Sequence, residues 1–258
     1  MKKKLTTGQI CLDDEYGFTY YIAKIEYCER EDESFSYTFI PNYSVIDLLT
    51  PDLYQGIPGL DMSKHKAQYK RNNVTPVFIS ERTPGKNREN LWELLDDCNM
   101  EYLNRLEWLI RTDYRYSGDP LYVIPYKKRT DLIVDDISVL DHRSGGIINK
   151  VLGVLCKGGY VKTKDYIIDN NNRKAFYSLL KSIYVTEKSY IAHRKANGIK
   201  KAAEQGKYKG REKIRIDDTK LLEVISDYEN HKITGEQAAD KLNISRSTFL
   251  RRYRIMKD

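Results

Sequence analysis

The sequence predicts an α/β amino-terminal domain, a long linker helix and a small all-α carboxy-terminal domain of the helix-turn-helix type. Three observations point there. Runs rich in aromatic and β-branched residues alternate with helix-patterned runs through the first 170 residues, as expected of strands and helices around a sheet. A proline-free, helix-compatible run follows, apolar at its start and basic at its end. The last stretch carries the caps and apolar spacing of short helices. The expected divisions are residues 1–170, the linker helix 171–206, a basic arm 207–215 and the helical domain 216–258.

Composition narrows the class. With 258 residues, 40% of them hydrophobic, the chain has room for one larger and one small domain. No run approaches the roughly 18 to 20 apolar residues of a membrane span. The basic start MKKKLTTGQI has no apolar signal core. Cys11, Cys28, Cys98 and Cys156 are scattered without CxxC spacing. Neither a zinc site nor a disulfide framework is expected, and a cytoplasmic location is. The four histidines lack metal-ligand spacing, and no phosphate-cradling glycine-rich loop occurs. The sequence therefore implies no metal and no cofactor. Most of the 21 tyrosines are expected to serve packing.

Charge is uneven along the chain. From Arg194 onward, 17 Lys and Arg stand against 10 Asp and Glu, while residues 1–193 hold 27 of each. The net charge of +7 lies wholly in the last quarter. A positive module on a neutral body suits a phosphate backbone. A solvated basic face, or a tail for RNA or a membrane surface, has the same charge.

Residues 18–27 and 35–41 read as strands joined across an acidic turn. Residues 60–71 carry a weak helical pattern, and 74–79 read as a buried strand. From residue 85 a helix is expected, with Leu91, Leu94, Leu95, Cys98, Tyr102, Leu106, Leu109 and Ile110 recurring at helical spacing, until Gly118-Asp119-Pro120 breaks it. Residues 121–126 and 131–139 read as strands, 147–156 as a helix closed by Lys157-Gly158-Gly159, and 160–168 as a strand. On the long helix, Phe176, Leu179, Leu180, Ile183, Tyr184 and Ile191 form an apolar stripe that ends where the basic residues begin.

The last segment has its own core. Asp217-Asp218 caps a helix whose apolar face holds Leu221, Leu222, Val224, Ile225 and Tyr228. Thr234 and Gln237 have capping-box spacing. Asn243 stands in the turn, where it tolerates a left-handed backbone. Ala238, Ala239, Leu242, Ile244 and Phe249 complete the core. The third helix then offers Ser245, Arg246, Ser247, Thr248, Arg251 and Arg252 to base edges or phosphates. Upstream, Gly206 and Gly210 free a chain bearing Lys207, Lys209, Arg211 and Lys213, with Arg211 the candidate for a narrow minor groove. A small protein-interaction domain behind a flexible basic linker is the competing reading.

The stretch RKANGIKKAAEQGKYKGREKI, 194–214, with the helices that follow it, resembles the serine recombinases (resolvases and DNA invertases), especially small Gram-positive resolvases. The resemblance is clear in the linker helix and the helix-turn-helix, and divergent in the catalytic domain. It implies that a long helix crosses double-stranded DNA and makes a homodimer. It also implies that an arm enters the minor groove and that a helix-turn-helix reads the next major groove. The expected setting is recombination, resolution or inversion within a mobile element.

In that family a Ser hydroxyl attacks phosphate and forms a phosphoserine link. The Ser follows an Arg by two residues at the end of the first strand. Further arginines, in a segment like L-D-R-x-x-R, stabilise the developing charge. Here Ser44 is the candidate nucleophile and Arg143 the candidate cation. Asn42 stands where Arg is expected, and His142 replaces one Arg of the later segment. Arg115 and Ser117 repeat the Arg-x-Ser spacing without room for the helix that should follow. Two readings stay open: an active recombinase using Ser44, and a non-cutting DNA-binding regulator or architectural subunit whose amino-terminal domain makes protein contacts. The departures favour the second.

Overall fold

A computed structural model describes residues 4–207 and 214–257. The chain divides into two compact units, Met1–His193 and Arg194–Asp258, at the residue where the charge changes.

The first unit combines an antiparallel sheet with helices. Its strands are β1 (Lys4–Asp13), β2 (Thr19–Glu29), β3 (Phe35–Pro41), β4 (Tyr69–Asn72) and β5 (Leu121–Pro125), in the order β4-β3-β2-β1-β5. Every neighbouring pair is antiparallel. The interior strand β1 was not legible in the sequence, because Gly8-Gln9 interrupts its apolar run. Its neighbours explain both residues. A Cβ on Gly8 would lie 2.8 Å from Val123 Cγ1, so only glycine fits between strands so closely packed. The Gln9 amide donates to the Ala23 carbonyl at 2.9 Å.

A bulge in β2 sets the sheet's faces. Ile10 pairs with Ala23 and Cys11 with Tyr21, leaving Ile22 as the extra residue. The alternation shifts by one there. Tyr20 and Ile22 before the shift, and Ala23, Ile25 and Tyr27 after it, therefore all join the main core. Cys11, Tyr21 and Tyr122 pack together in a separate small cluster.

The helices are α1 (Tyr43–Ile46), α2 (Val77–Ser80), α3 (Leu91–Asp96), α4 (Arg105–Thr112), α5 (Ser144–Cys156) and α6 (Arg173–Glu204). Several expectations need correction. Residues 60–71 form a 3-10 turn and the edge strand β4 instead of a helix. Residues 74–79 are not a strand, because Pro76 caps the helical turn α2. The helix expected from residue 85 is two helices. Asn99 takes a left-handed φ of 53°, and Asn104 caps α4 by accepting from Glu107 N–H at 3.1 Å.

Residues 131–168 build a second, three-stranded sheet of β6 (Leu132–Ile133), β7 (Val161–Lys162) and β8 (Ile167–Ile168). The expected single strand 160–168 is thus a hairpin. The strand at 131–139 shortens to β6 and a 3-10 turn at Ile137–Leu140. The parallel β6–β7 pair is bridged by α5, a β-α-β unit.

Helix α6 docks on the first unit through Arg173, Tyr177, Leu180 and Tyr184. It meets both ends of α5. The Glu187 carboxylate lies against Gly145 at the start of α5, where a Cβ would approach it to 2.6 Å. The Arg173 guanidinium donates to the Gly158 and Gly159 carbonyls past the end of α5 at 3.0 and 2.8 Å. An anion at the start and a cation at the end of a helix both suit its dipole. Lys181 pairs with Asp14 in the β1–β2 turn, and Tyr20 and Tyr177 share a hydroxyl hydrogen bond of 2.7 Å. Burial works against the Asp14 charge, but Lys181, the Phe18 N–H and the Tyr20 hydroxyl hold its carboxyl below the usual range.

In the second unit, α7 (Asp218–Glu229), α8 (Gly235–Lys241) and α9 (Arg246–Lys257) enclose a core of Leu221, Val224, Ile225, Ala238, Ala239, Leu242 and Phe249. Leu222, expected on that core face, stands exposed.

Candidate nucleic-acid interface and the Ser44 site

The short helices of the second unit are positioned by local signals. Asp217 accepts from Thr219 N–H at 2.9 Å and starts α7. Thr234 Oγ1 accepts from Gln237 N–H at 3.3 Å, while Gln237 Oε1 accepts from Thr234 N–H at 2.8 Å. This is a complete capping box at α8. Asn243 takes φ 54° in the turn. Alanines at 238 and 239 let α8 and α9 cross closely, and Phe249 sits edge-on to Tyr228, ring centroids 5.2 Å apart.

This framework sorts the candidate DNA contacts by role. Ser245 Oγ accepts from Thr248 N–H at 3.3 Å and shares a hydrogen bond with its hydroxyl at 2.8 Å. Ser245 and the half-buried Thr248 thus build the start of α9. Arg252 donates to the Ile214 carbonyl, tying the segment before α7 to α9. Arg246, Ser247 and Arg251 are exposed, as is Arg254, which the sequence reading passed over. The four-then-three spacing of Ser247, Arg251 and Arg254 places them on one helical face. Arg246 lies 3.8 Å from Glu236 on α8, an exposed pair that a phosphate or base edge displaces at little cost. Lys207 is exposed beyond α6. Lys209, Arg211 and Lys213 lie outside the described residues.

Ser44 stands in the first turn of α1. With β1 counted, that turn follows the third strand, not the second. The first strand ends at Asp13, with Asp14 in the turn after it and no Arg-x-Ser pair there. The bulge helps fix the site, because the freed Ile22 carbonyl accepts from Asn42 N–H at 2.8 Å. Ser44 Oγ donates to Asn42 Oδ1 at 2.8 Å and accepts from Arg173 Nη1. Gly158 closes the site from the other side, with φ 79° and its would-be Cβ 2.5 Å from the Asn42 amide.

Arg173 is 2% exposed, and no carboxylate pairs with it among the described residues. Burial, with Arg129 nearby, lowers its pKa. Ser44 Oγ and the Gly158 and Gly159 carbonyls just past α5 accept from it, and the Asp169 and Asp131 carboxylates favour the charge without pairing with it directly. Arg143 is placed differently. Its side chain is 86% exposed and lies 3.7 Å from Asp141, and no described hydrogen bond or ion pair joins it to Ser44. The Arg115–Ser117 candidate is also set apart, since Arg115 stacks on Tyr122 and pairs with Asp13 at 3.3 Å.

Arg173 is the site residue that sequence reasoning missed. One signal was available: an Arg opens the long helix, where the helix dipole favours acidic residues. A cation there needs a partner elsewhere in the fold.

Among the described residues, no group of three or more His, Cys, Asp or Glu is placed to hold a metal ion, and no helix is long and apolar enough to cross a membrane. No protein-family model matches the chain, and no curated protein matches it significantly.

Proposed function

We propose that the protein is a dimeric, site-specific DNA-binding protein of the serine recombinase type, serving a mobile element's recombination system without itself cutting DNA. The observation that carries the DNA reading is the outer face of α9. Ser247, Arg251 and Arg254 share it, beside the exposed Arg246, on a helix whose buried face is anchored by Phe249. Basic residues concentrated from Arg194 onward support it. The partner we infer is a second copy joined through the exposed apolar stripe of α6, since one small helix-turn-helix grips DNA weakly and two match a palindrome.

The test separates the two units. A fragment of residues 194–258 should bind duplex DNA, and residues 1–193 should not. Neutralising about four phosphates would cost the fragment about 100-fold in affinity between roughly 50 and 200 mM salt. Equal binding by both fragments would sink the assignment.

The non-cutting part rests on the Ser44 proton. Its acceptor is the Asn42 amide oxygen, which is no base, whereas a nucleophilic hydroxyl needs one. The second reading, strand cutting through Ser44, is favoured by one observation: a guanidinium already donates to the same hydroxyl. Trapping on a nicked palindromic site decides between them. We expect no phosphoserine adduct and unchanged DNA affinity in Ser44→Ala. An adduct that disappears in Ser44→Ala establishes the cutting enzyme.

A further inference from the structure

We propose that the first unit holds a binding site for a small organic cation, an ammonium group on an aromatic or aliphatic body. The site is a cleft of about 540 Å³ between the β1–β2 turn, the segment after α1 and the early turns of α6. That volume is within the usual range for small-molecule pockets. Leu48, Leu49 and Leu53 line one side, and Tyr16, Tyr20 and Tyr177 contribute rings.

Charge selects the ligand. Asp14 and Lys181, both lining the cleft, neutralise each other. Glu15 and Asp52 are exposed, make no ion pair among the described residues, and leave the cleft negative. The aromatic corner also shows its preference through the protein's own ammonium. Lys181 Nζ lies 4.6 Å from the Tyr16 ring centroid and 4.4 Å from that of Phe18, the contact that aromatic faces offer to cations. An anion would meet carboxylates and the negative faces of rings. Pinning α6 to the β1–β2 turn accounts for the half-buried Asp14–Lys181 pair, but not for an open cleft beside it whose exposed carboxylates, Glu15 and Asp52, have no cationic partner among the described residues. An occupant would touch Tyr177, Ser178 and Lys181, and so contact the long helix directly. The inference does not depend on the DNA reading.

The experiment is a calorimetric titration of the full-length chain with phenethylammonium, 2-phenylethanol and 3-phenylpropanoate. The cation should bind about tenfold more tightly than the neutral and anionic probes. Ser178→Trp, on the exposed side of α6, should fill the cleft and weaken the cation about tenfold with an unchanged circular dichroism spectrum. Asp52→Asn, at an exposed loop position, should weaken it about threefold and serves if the Trp variant misfolds. No binding of the cation at millimolar concentration, equal binding of all three probes, or cation binding unaltered in both variants would overturn the site.

Discussion

Replacing Ile183 with Asp should give a folded monomer whose affinity for a palindromic DNA site is about 100-fold below that of the parent. The reason lies in the two faces of α6. Arg173, Tyr177, Leu180 and Tyr184 dock on the first unit. Phe176, Leu179, Ile183 and Tyr190 are 36%, 58%, 45% and 63% exposed. Their spacing of three, four and seven is the spacing of a helix-pairing seam, and it lies about a quarter turn from the docked face. Ile183 is therefore not part of the domain's core, and a charge there leaves folding intact while it opposes a second helix. Tyr184, one residue on, is the contrast. Its ring meets Phe18 edge-on, with centroids 5.1 Å apart, so Tyr184→Ala should cost about 3 kcal/mol of stability. Sedimentation velocity and thermal unfolding of both variants check the pair. A parent chain that sediments as a monomer at micromolar concentration, with and without a palindrome, refutes the seam.

The second large effect is expected at Phe249. Its side chain is fully buried in a small core, and Phe→Ala in such a place costs about 3 to 5 kcal/mol. A unit this size has little more stability than that to lose. Phe249→Ala should unfold α7, α8 and α9 and remove DNA binding, with the first unit's unfolding transition unchanged. Arg251→Ala should do the opposite, leaving the helical content intact while costing about 1 to 3 kcal/mol of binding. If the loss from Arg251→Ala is the same on every DNA sequence, the residue grips phosphate; if it varies, the residue reads a base. Full DNA affinity in Phe249→Ala would show that this unit is not the binding module.

The helical unit was legible because its signals are local. Thr234 and Gln237 form the box that their spacing implies, Asn243 takes the left-handed turn, and Ala238, Ala239 and Phe249 fill the core. Each signal spans at most a few residues, so the chain states it directly. The two faces of α6 were half legible. Periodicity placed Tyr184 and Ile183 in one stripe, but burial separated them, because only packing decides which part of a broad apolar face is covered.

The first unit hid more because its logic is long-range. β1 looks unlike a strand until Val123, 115 residues away, explains Gly8. Residues 74–79 had strand composition, yet Pro76 and the burial of Phe78 and Ile79 made a helical turn. Ser44 had an expected partner in Arg143 and received Arg173 instead, 129 positions along the chain. The sequence by itself determined the basic carboxy-terminal quarter, the capped helices and the long helix, since charge, capping and periodicity act between near neighbours. The tertiary structure alone decided which arginine reaches Ser44, which face of α6 stays open and which residues wall the acidic cleft. Those outcomes depend on contacts between distant segments, and a buried cation is stable only where the fold brings hydrogen-bond acceptors or opposite charge to meet it.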